Sequence, residues 1–177
     1  MPETVVMAMA SKKVAILVED LYQVLEVWYP LLRLKEEGIA ATLVGTGLKE
    51  TYNSRDGYPA KIDKSINEVK ASDFDGVIIP GGYAPDILRR YEKVVDFVRT
   101  MHASGKVVAA ICHGGWLLVS AGIVKGRTAT CFFAIKDDLI AAGAKYVDQE
   151  VAVDGKLITS RKPEDLPRFV REIIKAL

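Results

Sequence analysis

The chain is poor in residues that staple, ligate or span. Its 177 residues include two cysteines, Cys112 and Cys131, and two histidines, His102 and His113. Two cysteines build no disulfide framework, so the pattern fits a reducing, cytoplasmic setting. No Cys/His cluster has zinc-ligand spacing, and no glycine-rich phosphate loop occurs. Neither a metal nor a cofactor is expected. The net charge of +1 gives nothing to steer the chain onto nucleic acid or an acidic membrane. No apolar run approaches the ~20 residues that a membrane helix needs. The first residues carry Glu3 and lack a long apolar core, which makes a poor signal peptide. What is present is an ordinary globular composition, 50% hydrophobic and 27% charged. That fits one domain with an ample core. Residues 1–12 read as a flexible N-terminal extension and 13–177 as a single domain.

Continuous apolar runs alternate with helical patterns. Val14–Val18, Ile39–Val44, Asp75–Ile79 and Val107–Ile111 read as buried strands. A helix from Val24 ends at Gly38, with Pro30 expected to bend it. Residues 45–57 read as loop or irregular hairpin, Tyr58–Ile62 as a short strand and Asn67–Lys70 as a brief helix. A long helix is expected from about Pro85 to His102, another from Cys112 to Gly122, and a third over Ile135–Ala142. Thr128–Cys131 reads as a further short strand. Val147–Val153 and Lys156–Thr159 flank Asp154-Gly155, a strong hairpin signal. Glu164–Leu177 closes the chain as a helix. This alternation implies an α/β fold, a parallel sheet covered on both faces, with ligands beyond the carboxyl ends of its strands.

One such end dominates. After Val107–Ile111 the chain reads Cys112-His113-Gly114-Gly115 and then starts an apolar helical run at Trp116. A strand turning abruptly into a helix with a nucleophile at the corner is a nucleophile elbow. A cysteine at a helix N-terminus has its pKa lowered toward the thiolate; the alternative is a buried, inert thiol. Gly81 and Gly82 follow the third strand. Their N–H groups, with that of His113, are candidates for an oxyanion hole; Gly114 supplies the small residue that the tight elbow needs and is a further candidate for oxyanion or substrate binding. Glu26 lies on the apolar side of its helix. It is either a buried, protonated carboxyl that hydrogen-bonds a thiolate or a solvated charge. His113 is the obvious base, yet consecutive residues at an elbow usually point apart. Cys131 reads as a core residue.

The elbow Ala110-Ile111-Cys112-His113-Gly114 resembles that of the ThiJ/PfpI superfamily, and within it the PfpI-type intracellular proteases. The likeness runs from Val14 to Leu177. It includes Tyr29-Pro30, Arg33 to Gly38, Pro80-Gly81-Gly82 with Ala84-Pro85-Asp86, Ser120-Ala121-Gly122, Val153-Asp154-Gly155 and Ser160-Arg161. The resemblance implies a flavodoxin-like three-layer sandwich with a mostly parallel sheet, Cys112 as nucleophile and Glu26 as its carboxyl neighbour. It also implies a homo-oligomer, dimer or hexamer, in which Asp86 of a neighbouring subunit completes a triad with Cys112 and His113. Family activities include peptidase, cofactor-free glyoxalase and deglycase. Three positions depart from the family pattern: Gln23 replaces a glutamate, Tyr83 an arginine and Phe132 a tyrosine.

Two classes of function follow. In the first the chain is a cysteine hydrolase acting on amides or small carbonyl compounds, with peptidase-like or glyoxalase/deglycase-like chemistry. In the second Cys112 is oxidised without turnover, as in a redox sensor or stress chaperone. Glutamine amidotransferases share the elbow but need a late histidine, and none follows His113.

Overall fold

The computed structural model describes residues 11–177. Most of the expected extension, residues 1–10, lies outside the described residues. In chain order the elements are β1 (Lys13–Val18), α1 (Val24–Glu36), β2 (Ala40–Gly45), β3 (Thr51–Asn53), β4 (Pro59–Lys61), β5 (Lys64–Ser65), β6 (Gly76–Ile79), α2 (Ala84–Leu88), α3 (Glu92–Ala103), β7 (Val107–Ile111), α4 (Gly115–Ala121), β8 (Thr128–Ala129), α5 (Lys136–Ala141), β9 (Lys145–Tyr146), β10 (Val151–Asp154), β11 (Leu157–Ser160) and α6 (Leu166–Ala176).

The main sheet runs β10-β11-β7-β6-β1-β2-β5. Its pairs are parallel except β10–β11, which form the hairpin at Asp154-Gly155. The alternation of strand side chains divides the core. Val14, Ile16 and Val18 of β1 join Val27, Leu31 and Leu34 of α1 and Phe169, Val170 and Ile173 of α6. Ala15 and Leu17 join Val94, Val98 and Met101 of α3 and Leu117 and Leu118 of α4 on the opposite face. The result is a three-layer α/β sandwich. Strand order reverses between β1 and β6, so the carboxyl ends of β1, β6 and β7 open on one crevice.

Three expectations need correction. The helix expected over 85–102 is two helices, α2 and α3, separated at Tyr91, whose backbone is extended. After the restart Val94, Val95, Val98 and Met101 join Leu88 in the core on one face of the sheet. The strand expected from Val147 begins only at Val151. The irregular hairpin and short strand expected over 45–62 are present as the antiparallel β3–β4 pair. The expected bend at Pro30 interrupts nothing: α1 runs without a break from Val24 to Glu36, with Pro30 buried.

Candidate active site

The corner after β7 is built as a strained turn. Ile111 is extended, and Cys112 takes φ of +59°, a left-handed conformation for a residue with a side chain. Such a residue costs roughly 1–2 kcal/mol, which the packing around it must offset. Gly114 makes that packing possible. A Cβ there would stand 2.4 Å from the carbonyl oxygen of Ile79. Gly114 therefore seats the elbow on the end of β6. Its evident role is close packing, where oxyanion or substrate binding was expected of it.

Glu26 is fully buried, so it is no solvated charge. Its Oε2 accepts the Gly81 N–H at 2.6 Å, and Oε1 has no partner among the described residues. The carboxyl is also near enough to Cys112 for each group to shift the other's pKa. The Gly81 N–H thus holds the carboxylate and is not free for an oxyanion. A Cβ on Gly81 would stand 2.6 Å from Glu26 Oε2 and 2.7 Å from Cys112 Cβ. The backbone N–H groups of Gly82 and His113 each favour the charged form of the sulfur. Gly82, at φ +77°, lies so close to the backbone of Leu21–Gln23 that a Cβ would fall 2.4 Å from Leu21 O.

His113 does not point away from its neighbour: Nδ1 lies 3.3 Å from Cys112 Sγ. The imidazole packs against Trp116 and Phe132, each with a ring centroid 5.0 Å away. Burial, with a contribution from the nearby Arg55 charge, lowers its pKa and keeps it neutral. Asp86, on α2, pairs with Arg90, which holds its carboxyl below the usual range. Within one chain it is not brought to His113.

The thiol expectation reverses in sign. Burial first, and then the Glu26 charge, push Cys112 up to about 12 against the pull of the His113 and Gly82 N–H groups. Burial pushes Glu26 up to about 7, opposed by the Gly81 hydrogen bond and by the neighbouring Cys112. Helix α4, with seven residues, brings too little dipole to outweigh desolvation. The two groups therefore titrate as a pair. Between the two values they share one proton, and a thiolate forms where that proton rests on Glu26.

Above the sulfur opens a cavity of about 400 Å³ lined by Gln23, Arg55, Gly82, Tyr83, Cys112, His113, Trp116, Phe132 and Pro163. Sequence reasoning missed Arg55 and Pro163. Arg55 reaches the site because its N–H donates to Tyr22 O at 3.1 Å, and Tyr22 also bridges to Gly82. Its turn-like surroundings, Ser54-Arg55-Asp56-Gly57, carry no signal of that long-range strap. Among the described residues no group of three or more His, Cys, Asp or Glu could hold a metal, and no helix is long and apolar enough to cross a membrane.

The DJ-1/PfpI family pattern matches residues 12–176. The chain is 41% identical over 165 residues to "Deglycase PfpI" of Pyrococcus furiosus, covering 93% of this chain and 99% of that protein. It is 41% identical over 169 residues to "Protein/nucleic acid deglycase 2" of Escherichia coli, covering 94% and 98%. A crystal structure from Anabaena variabilis with a DJ-1/ThiJ/PfpI-like and a ferritin-like domain superposes with a TM-score of 0.91 at 42% identity. That match covers 93% of this chain, which spans 48% of the two-domain protein.

Proposed function

Because this chain belongs to the DJ-1/PfpI family, we propose that it is a cysteine-dependent enzyme acting on small reactive carbonyl compounds and their amine adducts, by deglycase- or glyoxalase-type chemistry. The observation that carries the reading is the placing of one sulfur between two proton carriers. Cys112 Sγ lies 3.3 Å from His113 Nδ1, and the Glu26 carboxyl is near enough that its charge raises the thiol's pKa, at the base of an open cavity.

With a 2-oxoaldehyde, Cys112 passes its proton to Glu26 and Sγ adds to the aldehyde carbon. The N–H groups of Gly82 and His113 meet the oxyanion. The proton on that carbon moves to the neighbouring carbonyl carbon through an enediol, with the neutral His113 as the base that takes and returns it. The product is a 2-hydroxyacyl thioester. Water, deprotonated by His113, hydrolyses it to a 2-hydroxy acid and restores the thiol. The aldehyde carbon is oxidised and its neighbour reduced, so no external electron carrier enters. On an amine adduct the same attack releases the amine.

Peptide hydrolysis would use the same Cys112–His113 pair. A cavity of about 400 Å³ with aromatic walls favours the smaller carbonyl. The setting we propose is cytoplasmic, and the assembly a homo-oligomer in which the partner subunit's Asp86 orients His113. The test is lactate formation from methylglyoxal by the wild type and by Cys112→Ala. Loss of lactate in the variant supports the reading; equal lactate from both overturns it.

A further inference from the structure

The walls of the cavity carry a chemical bias that the reacting groups do not need. Arg55 is the one lining residue with a formal charge; no carboxylate lines the space. Its exposed guanidinium makes no hydrogen bond or ion pair with any described residue, whereas Arg33, Arg90, Arg99, Arg127 and Arg161 are each paired; Arg171 of α6 is likewise without a partner but does not line this cavity. Gln23 adds to the bias. Its Oε1 is used up as the cap of α1, accepting the Glu26 N–H at 3.0 Å, so its amide NH₂ is what remains to offer. Away from the sulfur, then, the polar lining offers donors. The acceptor that could balance them, Glu26, lies fully buried beneath the sulfur and already holds the Gly81 N–H.

We propose that Arg55 is a specificity-determining residue: with the Gln23 amide it binds an anionic group carried by the substrate, so that the preferred carbonyl compounds bear a carboxylate or phosphate near the reactive carbon. An unpaired guanidinium presents a planar fork suited to such an oxyanion group. It would also disfavour cationic adducts. This inference rests on the proposed carbonyl chemistry at Cys112, but its first test does not depend on turnover.

That test compares alkylation of Cys112 by iodoacetate and by iodoacetamide, which differ in charge and share one displacement: Sγ forms a bond to carbon as iodide leaves. The iodoacetate-to-iodoacetamide rate ratio in the wild type is expected to fall at least about fivefold in Arg55→Gln, to recover in Arg55→Lys and to fall further in Arg55→Glu. A ratio unmoved by these changes overturns the proposal. The second test compares kcat/KM for 4,5-dioxovalerate, a 2-oxoaldehyde with a carboxylate, with that for neutral methylglyoxal. A preference for the anionic substrate that Arg55→Gln abolishes supports the proposal; a preference that survives in Arg55→Gln overturns it. A phosphorylated 2-oxoaldehyde preferred over 4,5-dioxovalerate, again through Arg55, identifies the anion as phosphate. If neither dicarbonyl is turned over while the alkylation ratio still follows residue 55, the enzyme reading falls and the anion site stands.

Discussion

Cys112 and Cys131 are both buried, and burial pushes both thiols up to about 12. Their surroundings differ in kind. Cys131 sits among Ala129, Ile135 and Leu139, with Trp116 and Tyr146 at the edge. Cys112 sits at a left-handed corner with an imidazole 3.3 Å away, and a carboxyl and two backbone N–H groups shift its pKa. Desolvation alone therefore does not separate a chemical cysteine from a packed one. The separation lies in whether a neighbour can take the thiol proton and whether a cavity lets a carbonyl approach. The comparison breaks most sharply on substitution. Cys112→Ala is expected to lower turnover of a 2-oxoaldehyde by roughly 10³-fold or more, since nucleophile and acid–base groups act as one unit. Cys131→Ala is expected to leave kcat near wild type. Steady-state lactate assays read both, and similar losses in the two variants would end the distinction.

The next largest effect sharpens what holds Cys112 in place. Gly81→Ala drives a methyl into Glu26 Oε2 and Cys112 Cβ, with the backbone N of His113 3.0 Å away. Overpacking of this sort costs about 1–3 kcal/mol, and displacing the sulfur or its carboxyl by ~1 Å costs on the order of 10²-fold in rate. The control is Gly105→Ala. Gly105 has φ of +69° and nothing within 4 Å of the added Cβ, so it carries strain of about 1–2 kcal/mol with kcat unchanged. Thermal unfolding and kcat, measured together, separate the two sites.

Glu26→Gln tests the shared proton. In the wild type the Cys112 alkylation rate is expected to rise in two steps, near the pair's lower value of about 7 and again toward 12. Glu26→Gln removes the lower step and leaves one midpoint below 12, because the opposing charge is gone. Stability follows with a definite sign. A carboxyl raised from 4.5 to about 7 by burial favours its protonated form in the fold. Its contribution is fully present below 4.5 and is lost as pH rises through 7. The size is on the order of 3 kcal/mol. Glu26→Gln should therefore gain stability relative to wild type between pH 5 and pH 8. Denaturant midpoints at those two values check it, and a constant difference refutes the assignment.

Much of the fold was legible because buried parallel strands announce themselves as unbroken apolar runs: Val14–Val18 and Val107–Ile111 needed no context. The elbow was legible for a related reason, since a Cys-His-Gly-Gly sequence between a strand and a helix has few uses. What stayed hidden depends on distance through space. The break between α2 and α3 follows from which residues must reach the sheet. The direction of the Cys112 shift depends on how deeply Glu26 and the sulfur are buried together, which a helix-terminus argument does not see. Arg55 enters the cavity only because Tyr22 ties its backbone beside Gly82, a contact that no local pattern encodes.

The smallest expected effect comes from Cys131→Val, and its smallness is the informative part. Val matches a buried thiol closely in size and keeps the apolar contacts with Ile135 and Leu139. Volume-conserving core changes cost under about 1.5 kcal/mol, and no hydrogen bond is lost that the structure assigns to the Cys131 side chain. Residue 131 precedes Phe132, which packs on His113 with ring centroids 5.0 Å apart. If Cys131 served only as filler, Cys131→Val would leave both the Cys112 alkylation profile and the 2-oxoaldehyde kcat at wild-type values. A shift in the profile's lower step would mean that the wall under Phe132 helps set the imidazole, and that the two cysteines are coupled through the aromatic stack.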